Sequence, residues 1–147
     1  MPGILEEEKY FDISMAEIVR AIESEEGQVE IFCDHCTIHE GLEIVVQLRL
    51  RIGGSLTEPE SWQVALLLHS IRIDGVDHES WYTALDGEER EGWHRHQWNR
   101  RESSADRTKC PVEGLEDCPS LEIFLYEVLR KMGIRWNRVD NGNLFST

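Results

Sequence analysis

The sequence has no long apolar run: its longest unbroken stretch is Val64 to Leu68. A helix that spans a bilayer needs about 20 such residues, so no membrane contact is expected. Nor does an apolar stretch open the chain, because Glu6, Glu7 and Glu8 stand where a secretory signal would need one. The expectation from both is a cytoplasmic protein. Basic residues are scarce, with 15 Lys and Arg against 29 Asp and Glu and a net charge of −14. A body of that charge repels phosphate backbones, which counts against broad nucleic-acid affinity. Cysteine is limited to Cys33, Cys36, Cys110 and Cys118. In a cytoplasmic chain these read as free thiols or metal ligands rather than disulfides. The sequence also lacks a G-x-S-x-G elbow, a Gly-rich phosphate loop and an H-E-x-x-H motif, and no interdomain linker or repeat interrupts it.

What is present suits a globular protein. The 147 residues match a common domain size, and five tryptophans with ample Leu, Ile and Val argue against disorder. One domain over residues 1–147 is expected, with a tail loosely held from about residue 137. Ser14-Met15-Ala16-Glu17 matches a capping box, and Met15, Ile18, Val19 and Ile22 continue it as one apolar helical stripe. Leu42, Ile44, Val46, Leu48, Leu50 and Ile52 then alternate with mostly polar residues, a period of two that predicts a strand with one buried face. Val29 to Ile38 is its candidate hairpin partner through Glu40-Gly41.

Trp62 to Ile73 reads as a further strand, Asp74-Gly75 and Asp86-Gly87 as turns, and Trp81 to Thr83 as a short strand. Trp93 to Trp98 forms another. A second helix is predicted from Asp117-Cys118-Pro119, with Asp117 as its cap, Leu121, Phe124, Leu125, Val128, Leu129 and Met132 as its stripe and Gly133 as its stop. The predicted fold is α+β: an antiparallel sheet of about four strands flanked by an N-terminal and a C-terminal helix.

Chemistry concentrates in Trp93-His94-Arg95-His96-Gln97-Trp98. Two residues apart on a strand, His94 and His96 share a face at about 6.5–7 Å along the backbone. Both can reach one metal ion, zinc for example, or act as acid and base on a bound substrate. Trp98 shares their face and Arg95 points away. His78, flanked by Asp77 and Glu79, is a candidate third member. Residues 90–109 reverse the overall charge, with six basic and three acidic side chains. Within that strip Arg100 and Arg101 are candidate anion contacts. Cys33-Asp34-His35-Cys36 is a second candidate metal site, weakened because Cys110 and Cys118 are spaced too widely to complete a zinc knuckle. Free thiols in a strand are the simpler reading.

Ile71-Arg72-Ile73-Asp74-Gly75, His78, Asp86-Gly87, Gly92, His94 and His96, followed by a terminal helix ending near Ile134, resemble a group of small prokaryotic proteins that includes TumE-like toxins of toxin–antitoxin pairs. The likeness covers residues 42–134. It implies a histidine-centred site of His78, His94 and His96, an action on RNA, and a cognate antitoxin-type partner. Trp81 to Leu85 departs from the group's pattern, and the Cys33/Cys36 region has no counterpart in it. Two readings stay open: a toxin-like protein acting on RNA, or a non-enzymatic binding or assembly module that pairs with a partner or with itself as a homo-oligomer.

Overall fold

A computed structural model describes residues 8–24, 28–53, 61–97, 109–115, 118 and 120–138. The chain runs β1 (Lys9–Ile13), α1 (Met15–Ser24), β2 (Gln28–His39), β3 (Leu42–Gly53), β4 (Trp62–Leu68), β5 (Ile71–Thr83), β6 (Glu89–Gln97), β7 (Lys109–Pro111), α2 (Leu121–Lys131) and β8 (Ile134–Arg138). Strands β2 to β7 form one six-stranded antiparallel sheet in sequence order, and β1 pairs with β8 in a separate parallel pair. The predicted layout of about four strands between two helices is therefore corrected: the described residues are mostly strand, with two short helices.

The local signals explain part of this. The Ser14 hydroxyl accepts from the Glu17 amide at 3.2 Å, so the first cap forms as its motif requires. The alternating stretch is β3, and β2 joins it through Glu40 and Gly41, both at positive φ as a two-residue hairpin turn demands. The second helix starts differently. Its cap is Ser120, whose side chain accepts from the Ile123 amide, and the expected cap Asp117 lies outside the described residues. Gly133 (φ +71°) follows the helix as expected.

The largest misreading concerns residues 62–83. The turn there is His69-Ser70, at φ +50° and +65°, between the paired Leu68 and Ile71. Asp74-Gly75 is no turn. It lies inside β5, just past an irregularity in the β4–β5 ladder at Leu66/Leu67. A Cβ on Gly75 would sit 2.8 Å from the Val64 carbonyl oxygen, so glycine here serves close strand approach. Trp81 to Thr83 is then the end of β5 rather than a strand of its own. The short β1, β7 and β8 were not foreseen. The loose tail expected from residue 137 gives way to β8 as far as Arg138, and its remainder lies outside the described residues.

One sheet face packs on α2. Val46, Leu48, Leu50, Ile52, Trp62, Val64, Leu66 and Trp93 bury against Phe124, Leu125 and Val128, with Phe124 tilted against both Trp62 and Trp93. Phe11, Ile13 and Ile18 extend the same core from β1 and α1. Asp74 and Arg95 also lie on this face. The guanidinium grips the 2% exposed carboxylate at 2.9 and 2.8 Å and donates a third bond to the Lys131 carbonyl. Arg95 thus ties β6 to β5 and to the end of α2, turned away from the histidines as anticipated.

Candidate metal centre

The opposite face of the same two strands carries the chemistry. Paired residues in an antiparallel ladder share a face. Asp77 pairs with His94, Glu79 with Gly92 and Gly75 with His96. Alternation therefore sets Asp77 and Glu79 of β5 beside His94 and His96 of β6. His78 pairs with Trp93 and falls on the other face, its ring edge-on to the tryptophan at 5.2 Å. The structure does not bring it to the other two histidines.

His94 is fully buried and His96 nearly so. Their Nε2 atoms lie 2.6 and 3.0 Å from one oxygen, Asp77 Oδ1, and His94 Nε2 is also 3.2 Å from Glu79 Oε1. The Asp77, Glu79, His94 and His96 donor atoms lie within 4.8 Å of one another, a cluster that could hold a metal ion. Burial works to raise the pKa of the Asp77 carboxyl. The hydrogen bonds from the two histidines outweigh it and hold the group far below the usual carboxylate range.

The surrounding groups orient this cluster. Gln63 on β4 donates to Asp77 Oδ2 at 2.9 Å, and Arg49 on β3 donates to the Gln63 amide oxygen. Arg72 sits 3.5 Å from the same Oδ2. Oδ1 is thereby left to the histidines. The Tyr82 ring lies over His94 with centroids 4.1 Å apart, and Lys109 on β7 pairs with Glu79 Oε1 at 2.8 Å.

The two nitrogens of His94 have different duties. Nδ1 is 3.2 Å from the Gly92 carbonyl, which can only accept, so Nδ1 donates there. Nε2 is left to the carboxylates, 2.6 Å from Asp77 Oδ1 and 3.2 Å from Glu79 Oε1. A buried ring nitrogen between two carboxylates, in a ring steadied from its far side by a backbone carbonyl, is placed as a ligating histidine would be.

The cysteines are not gathered this way. Three residues apart on β2, Cys33 and Cys36 fall on opposite faces, and all four cysteines are free. Cys33 Sγ contacts the Asp12 carbonyl, and burial raises its pKa, which makes it less a thiolate. Trp98, Arg100 and Arg101 lie outside the described residues. Sequence reasoning named Asp77 and Glu79 only as neighbours of His78. Period-two counting through 71–83 as one strand would have put both on one face, and the register with β6 makes it the histidine face. For Gln63, Arg49 and Tyr82 no sequence signal was available.

No helix among the described residues is long and apolar enough to cross a membrane. No family model, curated protein or solved structure matches the chain.

Proposed function

We propose that the chain is a metal-binding protein whose working centre is one divalent ion held by Asp77, Glu79, His94 and His96. The observation that carries the reading is the buried cluster itself: the four donor atoms lie within 4.8 Å of one another, and the His94 ring is steadied from its far side by the Gly92 carbonyl. Two imidazoles and two carboxylates form a borderline donor set. That suits zinc, cobalt, nickel or ferrous iron better than magnesium or calcium, which prefer oxygen alone. The net charge of −14 favours accumulation of cations at such a site.

The burial of both histidines favours ligation over proton exchange with a large substrate. An action on RNA, which the likeness to TumE-like toxins implies, would draw on Arg100 and Arg101 and on the metal rather than on a free histidine pair. The reading needs no catalysis and accommodates a binding module equally well.

The test is equilibrium dialysis of chelator-stripped protein against zinc, with cobalt(II) absorption as a second readout. One ion per chain is expected in the parent protein and in a C33S/C36S variant. Loss is expected in His94→Ala and Asp77→Asn. If the parent binds no ion, or if the ion leaves with the cysteines and stays without His94, the proposal is wrong.

A further inference from the structure

Beside the cluster lies a groove of about 460 Å³, walled by Glu79, Trp81, Tyr82, Thr83, Leu85 and Lys109. Its rim is apolar: Trp81 is 60% exposed and Leu85 58% exposed. The Leu85 amide donates to the Lys109 carbonyl at 2.8 Å, and the Trp81 indole donates to Glu89, so the walls are held in place. One polar feature sets this groove apart from an ordinary surface hollow. A single carboxylate oxygen, Glu79 Oε1, serves both Lys109 at 2.8 Å and the metal cluster through His94 at 3.2 Å.

We infer that the groove binds a small organic carboxylate with an apolar body, and that the metal switches this binding on. The inference rests on the metal reading above. Glu79 has one negative charge to share. When a divalent ion takes up that charge, the Lys109 ammonium loses its counter-charge at the groove wall. An incoming carboxylate replaces it, accepting from Lys109, while its apolar body lies against Trp81 and Leu85. Without the ion, Glu79 neutralises Lys109 and repels an anion. The ligand charge is expected to be single, because one ammonium is offered to it within a strongly acidic molecule.

The experiment is calorimetric titration with benzoate, using benzyl alcohol as the uncharged control. Zinc-loaded protein should bind benzoate saturably, at least tenfold tighter than stripped protein, and should not bind benzyl alcohol. Lys109→Gln should keep the zinc and lose the benzoate. Glu79→Gln removes the competing charge permanently, so it should bind benzoate even when stripped. Equal binding by loaded and stripped parent, or unchanged binding in Lys109→Gln, would overturn the inference. Zinc binding with no benzoate binding would overturn it and leave the metal centre standing. Should no zinc bind, the switch falls with the metal reading, and stripped Glu79→Gln alone decides whether the groove takes a carboxylate.

Discussion

At Gly92 the backbone takes φ +104°, a conformation that side-chain-bearing residues rarely adopt, and its carbonyl is the group that holds His94 Nδ1. A Cβ at this position would meet no atom within 4 Å, so any penalty for adding one comes from the dihedral rather than from crowding. Gly92→Ala is therefore expected to cost about 1–3 kcal/mol of stability. It should also weaken metal binding by roughly 10–100-fold, the usual effect of disturbing a group that orients a ligand. Denaturant unfolding and metal competition titrations read the two effects separately. Stability loss with unchanged affinity would mean that the Gly92 carbonyl does not steer the imidazole. Histidine spacing made part of this visible in the sequence, because His-x-His on a strand puts both rings on one face. The Gly92 contact to Nδ1 was not visible, since it depends on a backbone dihedral that no residue pattern encodes.

Strands β5 and β6 carry opposite duties on their two faces, with Asp74, Val76, Trp93 and Arg95 toward α2 and Asp77, Glu79, His94 and His96 away from it. Replacing Arg95 by Met strands the Asp74 carboxylate, which has only 3% of its side chain exposed, and should cost about 3 kcal/mol. Zinc stoichiometry at temperatures where the variant is folded should not change, because the pair and the cluster lie on opposite faces. A variant that folds but binds no zinc would show that the faces are coupled. This two-sidedness also explains where sequence reading failed. Asp74-Gly75 carries strong turn chemistry, yet Asp74 is satisfied by Arg95 and by the Gly75 amide, and the glycine is needed for close strand approach. Tertiary pairing overrode the local signal, and breaking β5 there hid the carboxylates that complete the site. By contrast the β3 pattern survived because one face is core from Val46 to Ile52, although Leu42 at its start is exposed.

For the molecule as a whole, an ion that binds only the folded chain stabilises it by linkage. At free zinc a hundredfold above the dissociation constant the gain is about 2.7 kcal/mol. In a chain of this size that corresponds to a rise in melting midpoint of roughly 5–10 °C. Differential scanning calorimetry with and without chelator measures it, and His94→Ala should melt at one temperature in both buffers. A midpoint that ignores zinc in the parent would contradict a site formed only on folding. The β1–β8 pair has a consequence of a different kind. The six-stranded sheet joins each strand to its neighbour in sequence, so its hairpins can assemble step by step from nearby pieces. The parallel pair instead clasps Lys9 to Ile134 across nearly the whole described chain, a closure whose entropy cost is met only after the intervening sheet exists. The clasp should be the last part to zip and the first to fray. Because it is parallel, Lys9 and Arg138 lie at its opposite ends, a strand's length apart. A linker that runs back along the clasp from Arg138 to Lys9 would let new ends be cut at the His69-Ser70 turn, giving a circular permutant with the metal centre uninterrupted.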